Sequence, residues 1–177
     1  RPFGTELPKT SNQESARIVL QTRDVSISDS FIGAVSGQRV INVLRPVMDA
    51  GQVRYILTIS VGTDRFSPIL HAGQSRDEYA ILLIDAKDEV MAKAPPKNRT
   101  AAEIQALEIA KAQKGLTARQ IADEVWLEAT HQSDLTGWRT VVRVPRAALY
   151  GVLSGSFFLL AFAALTTTAT AAAAIAF

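Results

Sequence analysis

The C-terminal part of the chain carries no charge over 31 residues, and this run limits what the chain can fold into. Residues 147–177 are apolar, small or hydroxyl residues, whereas every Asp, Glu, Lys and Arg of the 177-residue sequence lies in residues 1–146. As a helix rising about 1.5 Å per residue, residues 152–177 are long enough to cross about 30 Å of hydrocarbon. Buried core helices are usually shorter, and secretory signals lie at the other end of a chain. The sequence therefore predicts a C-terminal transmembrane helix.

The composition excludes several functions. With 19 basic and 17 acidic residues, the sequence lacks the basic excess that drives binding to a phosphate backbone, so we expect no nucleic-acid partner. It has no cysteine and only two widely separated histidines, His71 and His131, which argues against a disulfide framework and a zinc site. A serine-nucleophile elbow, an ordered triad and a phosphate-binding glycine loop are also missing. We expect no catalytic residue, metal or cofactor in this chain.

The clearest secondary-structure signal is a β-hairpin. Two β-prone runs, 39–47 and 53–61, flank turn residues 49–52. In the second run apolar residues alternate with polar ones, so we expect one face to pack and the other to meet water or a ligand. Upstream, Ser11 and Glu14 form a capping pattern that predicts a helix ending near Arg23. A short strand and hairpin over 25–34, turning at 36–37, is expected between them.

A similar pattern follows in the second half of the chain. A helical connector over 64–72 is expected first. The pattern then predicts a strand at 79–84, a polar turn at 85–89, a strand at 90–92, a helix at 101–113 stopped by Gly115, and strands at 123–131 and 137–144. The acidic residues Asp85, Asp88 and Glu89 fit a polar turn better than a cation site. Strands in antiparallel hairpins with interspersed helices indicate an α+β fold.

The last strand runs directly into the predicted membrane helix. Pro145 keeps Val144 extended and is a favourable first residue for a helix, and Arg146 follows it. We interpret Val144, Pro145 and Arg146 as a signal joint, because a shift in the sheet could move the helix without a flexible linker between them.

Several segments together resemble a known family. RPFGTELP at the start, SISDSFIG at 26–33, the hairpin at 39–61, and SDLTGWRTVVRVPRAAL at 133–149 before a membrane run are similar to the double Cache (PAS-like) extracytoplasmic sensor region of bacterial sensor histidine kinases. The resemblance implies antiparallel PAS-like (Cache) sheets with helices, followed by one C-terminal transmembrane helix. It divides the chain into a partial membrane-distal module at 1–70, a membrane-proximal module at 75–146 and the membrane helix at 147–177.

The same resemblance implies a function and a location. It predicts the sensory input region of a membrane-bound receptor, which binds a small solute and signals through the membrane helix to a two-component histidine kinase. The alternative is a region that binds no ligand itself and serves as a dimerising membrane anchor, or as a partner-binding region, of a diguanylate cyclase or chemoreceptor. Arg143 and Arg146 alone would place the soluble side in the cytoplasm, but the resemblance places residues 1–149 in the periplasm, outside a bacterial inner membrane. A homodimer is expected.

The sequence starts at Arg1 and stops as the apolar run ends, so we expect a piece of a longer protein, truncated at both ends. Any kinase activity would belong to the rest of that protein.

The distal hairpin is the best place for a ligand, because a PAS-like sheet usually binds small molecules on its concave face. The candidate ligand-binding residues are Asp29, Asn42, Arg45 and Tyr55, whose polar groups are of the kinds that orient a bound solute. Asn42 and Arg45 have opposite parity, so a regular strand cannot aim both into one pocket.

Overall fold

The structure, a computed structural model, describes residues 12–97, 99–109, 115–121 and 123–149. The predicted membrane segment at 152–177 lies outside these residues. Within the described part of the chain, no helix combines the length and hydropathy needed to cross a bilayer. The described residues form two antiparallel sheets with helices, which confirms the predicted α+β class.

The first sheet is built around one long strand, β3 (Arg39–Asp49). Strand β4 (Gln52–Gly62) pairs with one edge of β3, and the short strands β1 (Ser26–Ile27) and β2 (Phe31–Ile32) pair with the other. The strand expected over 25–34 is divided into β1 and β2. The hairpin expected to turn at 36–37 is present, because β2 pairs with the start of β3 across that turn and the Gly33 amide donates a 2.9 Å hydrogen bond to the Gln38 carbonyl.

Helix α1 (Gln13–Thr22) packs against β3 through the fully buried Val19. Its N-terminal cap is Asn12, whose side-chain oxygen accepts a hydrogen bond from the Ser15 amide at 3.2 Å. The expected cap, Ser11, lies outside the described residues, and the position that caps the helix is one residue later. The helix ends at Thr22, close to the predicted end near Arg23, and Arg23 adopts a left-handed conformation as its C-terminal cap.

The long hairpin of β3 and β4 is confirmed. Its turn places Ala50 and Gly51 at φ values of 46° and 77°, the left-handed backbone that two-residue hairpin loops need. The expectation that the apolar face of β4 packs is not met among the described residues. Tyr55, Leu57 and Ile59 on that face are each more than half exposed.

A helical connector joins the two sheets, as predicted. A 3-10 turn (Thr63–Arg65) leads into α2 (Phe66–Gly73), which contacts strand β6 (Val90–Ala94) of the second sheet. The Phe66 ring lies edge-on to Trp138, the residue just before the last strand of that sheet, with 6.0 Å between the ring centroids.

The second sheet has the strand order β6-β5-β9-β8-β7. Its strands are β5 (Ala80–Ile84), β6 (Val90–Ala94), β7 (Gly115–Ile121), β8 (Glu124–Gln132) and β9 (Arg139–Pro145). Helix α3 (Ala101–Ile109) packs Leu107 into a core cluster with Ala80, Ile121 and Trp126. Strand β7 was not predicted, and Gly115 is its first residue rather than a helix stop. The other strands of this sheet match the predicted ones within a few residues.

Candidate functional site

A polar pair lies in the middle of the first sheet. Asn42 and Ser60 are directly opposite in the β3–β4 register, and the Ser60 hydroxyl donates a 2.7 Å hydrogen bond to the Asn42 side-chain oxygen. Asn42 is buried whereas Ser60 is exposed. Leaving a buried amide without a hydrogen-bond partner costs about 1–3 kcal/mol of folding stability. A buried polar pair in a sheet is therefore expected to have a structural or a binding role.

Backbone contacts hold Asn42 in place. The Asn42 amide donates to the Ser28 hydroxyl at 2.9 Å, and the Ser28 amide donates to the Asn42 carbonyl at 2.9 Å. Ser28 is buried as well. Strand β3 residues of the same parity, Val40 and Leu44, are buried on the same side of the strand. Asn42 is therefore held by hydrogen-bonded and buried neighbours, whereas Ser60 is exposed to solvent.

Arg45 and Tyr55 lie on the opposite face of the sheet. Arg45 is paired with Leu57, and Tyr55 is two residues from Leu57 along β4, so the two side chains are diagonal neighbours. Both are exposed, and the Arg54 guanidinium carbon is 6.0 Å from the centre of the Tyr55 ring. The structure therefore separates Arg45 and Tyr55 from Asn42, as the opposite parity of Asn42 and Arg45 predicts.

Asp29 is directed to a third place, the junction between the two sheets. Its Oδ1 atom accepts a 3.0 Å hydrogen bond from the Ala86 amide, in the turn that joins β5 to β6. A crevice of about 670 Å³ opens beside this loop. It is lined by the start of α1 and by residues 26–31, with Lys87 and Thr136 from the second sheet. The four candidate ligand residues thus occupy three separate environments.

Asp85 lies in the same junction. It begins the polar turn that the sequence predicts between β5 and β6, and its side chain is fully buried. It accepts hydrogen bonds from the amide and hydroxyl of Ser30 at 3.1 and 2.7 Å, and from the amides of Lys87 and Glu89 at 2.9 Å each. Four donors in good geometry make burial of a carboxylate tolerable.

The strand-to-helix joint has the continuity that the sequence predicts. Strand β9 ends at Pro145, and residues 146–149 are helical, with no residue in between. Val144 is half-buried and Arg146 is exposed. Pro145 is thus the last strand residue, and Arg146 is the first helical one. The geometry is compatible with a signal joint, and that role stays a prediction.

Next to the joint lies a buried ion pair that sequence reasoning missed. Arg143 of β9 and Glu128 of β8 are both fully buried, and Arg143 Nε lies 2.7 Å from Glu128 Oε2. Arg143 also donates to the carbonyl of Leu107 in α3. Arginine is suited to such a position because its guanidinium has several donors in fixed directions. The pair therefore ties α3 and β8 to the strand that leads into the helix.

A second charged cluster lies at the start of α3. Arg99 forms ion pairs with Glu103 at 3.2 Å and Glu124 at 2.6 Å, and its guanidinium carbon is 5.4 Å from the Trp126 ring centre. Burial opposes the charge, but hydrogen bonds to Glu103 and Glu124 outweigh it and raise the pKa of Arg99. The Thr100 amide and hydroxyl, followed by Arg99, lower the pKa of Glu103. These groups satisfy one another, which indicates a structural role.

The described residues contain no group of three or more His, Asp or Glu side chains that could hold a metal ion. His71, on α2, has its Nδ1 atom 2.8 Å from the Ser67 carbonyl oxygen.

Comparison with known proteins gives structural matches. No protein-family model and no curated protein sequence matches the chain. Among solved structures, the ligand-binding domain of Mlp24 with asparagine matches with a TM-score of 0.60 and 11% identity, over 87% of this chain and 65% of that domain. The ligand-binding domain of the Pseudomonas fluorescens chemoreceptor CtaA in complex with L-isoleucine matches with a TM-score of 0.58 and 13% identity, over 85% and 63%.

A third match is the ligand-binding domain of the Pseudomonas aeruginosa PAO1 amino acid chemoreceptor PctC in complex with GABA. Its TM-score is 0.56 at 12% identity, over 81% of this chain and 67% of that domain. At these identities the likeness is one of fold. The chain has the fold of chemoreceptor sensory domains and spans less than two thirds of the length of the Mlp24 and CtaA domains.

Proposed function

We propose that this chain is part of the extracytoplasmic sensory input region of a membrane-bound signal-transduction receptor and that it binds a small solute of the amino-acid class. The observation that carries the proposal is the fold match over more than four fifths of the chain to three domains named with asparagine, L-isoleucine and GABA. Each of those ligands has an ammonium and a carboxylate group. A fold hosts different functions, so the binding residues must be argued from this chain itself.

The Asn42–Ser60 pair is the best candidate for the contact with such a solute. An amide offers both donors and an acceptor, and a hydroxyl offers one donor and an acceptor, which suits an ammonium and a carboxylate together. The pair is placed on rigid strands, and Ser60 is open to solvent while Asn42 is fixed from behind by Ser28. Arg45 and Tyr55 on the other face are less suited, because both side chains are exposed and Tyr55 lines only an open crevice of about 570 Å³ at the hairpin turn.

Binding is tested by calorimetry with L-asparagine, L-isoleucine and GABA as the probes. We expect at least one of them to bind the 177-residue chain. Asn42→Ala should weaken that binding at least about tenfold, since an unpaired polar group at a recognition site costs of order 1–3 kcal/mol. Arg45→Ala on the opposite face is the matched control and should change the affinity less than twofold.

Two results would contradict this proposal. Absence of heat from all three probes, with the chain shown to be folded by circular dichroism, would reject the amino-acid class. A large loss of affinity in Arg45→Ala with none in Asn42→Ala would move the site to the exposed face of the hairpin.

The receptor context is also part of the proposal. The charge-free run at 147–177 supports a membrane helix, and the resemblance of the sequence supports a periplasmic position for residues 1–149. The sequence resemblance supports a histidine kinase as the output domain, whereas the solved structures with a similar fold are ligand-binding domains of chemoreceptors. We therefore propose a receptor of one of these two classes. Alkaline phosphatase fused before Gly151 in the whole receptor should be active, and an inactive fusion with an active cytoplasmic reporter would reverse the topology.

A further inference from the structure

The two sheets contact each other through reciprocal hydrogen bonds between two loops. Asp29 and Ser30 belong to the loop between β1 and β2, and Asp85 and Ala86 belong to the turn between β5 and β6. Asp29 accepts from the Ala86 amide, and Asp85 accepts from the Ser30 amide and hydroxyl. Each loop therefore supplies a carboxylate to the other. We call these four residues the clasp.

The clasp is reinforced from β3. The Arg39 guanidinium donates to the Ser30 hydroxyl at 2.9 Å and forms an ion pair with Glu89 at 3.5 Å. Arg39 is the first residue of β3, three positions before Asn42. The Ser28 backbone and hydroxyl bond to Asn42, so the loop that carries the clasp also touches the proposed binding residue. A displacement of Asn42 can therefore reach Ser30 through Ser28, two residues before it in the same loop.

The other side of the clasp leads to the strand-to-helix joint. Asp85 directly follows β5, and β5 pairs with β9 from Ile84↔Arg139 to Ala80↔Arg143. Strand β9 then ends at Pro145, where the helical residues begin. Strands paired over five positions move together, because shifting one past the other breaks several hydrogen bonds at once. The paired strands β5 and β9 therefore connect the clasp to the joint without a flexible linker.

We propose that the clasp fixes the orientation of the first sheet relative to β5, and that it is the contact through which a displacement of the first sheet reaches β9 and the joint. The signalling role of the clasp rests on the proposed sensory function. Its role in holding the first sheet relative to β5 does not depend on which ligand binds. Asp85 acts as a positioning residue. A buried carboxylate with two donors from each loop gives one preferred arrangement, whereas apolar contacts alone tolerate sliding.

A second contact between the sheets allows a direct comparison. Phe66 of α2 lies edge-on to Trp138, so this aromatic contact also joins the two parts of the chain. If any contact between the sheets served equally well, weakening the aromatic one would have the same effect as breaking the clasp. Asp85→Asn and Phe66→Leu therefore separate the two explanations.

The test measures the distance between the sheets with pairs of spin labels. The chain has no cysteine, so Gln52→Cys and Gln120→Cys give two unique labels at exposed positions, one in each sheet. We expect a narrow distance distribution in the otherwise unchanged chain, and a distribution at least about twice as wide with Asp85→Asn. The asparagine keeps the shape of the side chain but places an N–H donor opposite donors that need an acceptor. Asp134→Asn, at an exposed turn aspartate, is the matched control and should leave the width unchanged.

An unchanged distribution in folded Asp85→Asn would overturn the proposal, and so would an equal broadening in Phe66→Leu. If Asp85→Asn does not fold, Ser30→Ala removes one donor without leaving a buried charge mismatch. It should then broaden the distribution by a smaller amount, and no broadening would also overturn the proposal. No ligand is used, so this result is independent of whether any amino acid binds, and calorimetry tests the proposed function separately.

Discussion

The buried pair of Arg143 and Glu128 makes a strong prediction about stability. Both side chains have no exposed surface, and the atoms Nε and Oε2 are 2.7 Å apart. Removing one member of a buried ion pair leaves a charge without its partner and typically costs about 3–5 kcal/mol. We expect Glu128→Gln and Arg143→Met each to lower the free energy of unfolding by that amount. Domains of this kind have only about 5–15 kcal/mol in total, so the loss should be large.

A double replacement and an exposed pair serve as controls. Replacing both residues by apolar ones, Arg143→Met with Glu128→Leu, should cost less than the sum of the single changes, because no unpaired charge remains. Asp77→Asn breaks the 2.9 Å ion pair with Lys97, whose side chains are both more than 60% exposed, and should cost about 0–1 kcal/mol.

The assay is urea unfolding followed by tryptophan fluorescence, because the buried Trp126 lies in the same core as Leu107, whose carbonyl accepts from Arg143. A loss below about 1 kcal/mol in both single variants would refute the argument that this pair is buried away from water. A double variant as unstable as the sum of the singles would show that the two side chains do not interact.

Three further predictions follow from exposure, continuity and charge. Leu57→Thr with Ile59→Thr should reduce binding of a hydrophobic dye with little loss of stability, since both side chains are more than half exposed; unchanged fluorescence would show that the face is already covered. Inserting Gly-Gly between Val144 and Pro145 in the whole receptor should leave solute binding nearly unchanged but abolish the dependence of the signalling output on solute. A signalling output that still responds fully to solute would exclude a rigid joint. Because folding lowers the pKa of Glu103, its ionised carboxylate stabilises the folded chain at pH values above 4.5, the ordinary pKa of the group. That stability is lost as the pH falls through the lowered pKa. Glu103→Gln should therefore flatten the acid limb of the unfolding curve, and an acid limb identical to that of the parent chain would contradict this.

Local patterns in the sequence were sufficient for much of the fold. The hairpin of β3 and β4 was predictable because alternation with period two and a glycine-containing turn act over neighbouring residues only. The direct passage from β9 into a helix was predictable from Pro145, whose ring restricts the residue before it. Parity alone separated Asn42 from Arg45. Each of these inferences depends on backbone geometry within a few residues.

Other elements depended on partners that no local pattern reveals. Strand β7 has weak alternation and begins at Gly115, whose φ of 87° suits glycine, so its strand character comes from pairing with β8. The apolar face of β4 was expected to pack, but packing requires a partner surface, and the described residues provide none for Tyr55, Leu57 and Ile59. Sequence alternation shows which side chains share a face and does not show what covers that face.

The sequence by itself determined the α+β class, the long hairpin and the strand-to-helix continuity, because turn residues, alternation and proline act on the backbone locally. Only the tertiary structure decided that Asp85 is buried rather than solvated, since its donors in Ser30 come from a loop 55 residues away. The same holds for Arg143 and Glu128, which are buried together only because β8 and β9 are adjacent in the sheet. A charged side chain is stable in the interior when distant donors or counter-charges converge on it, and that convergence is a property of the folded chain.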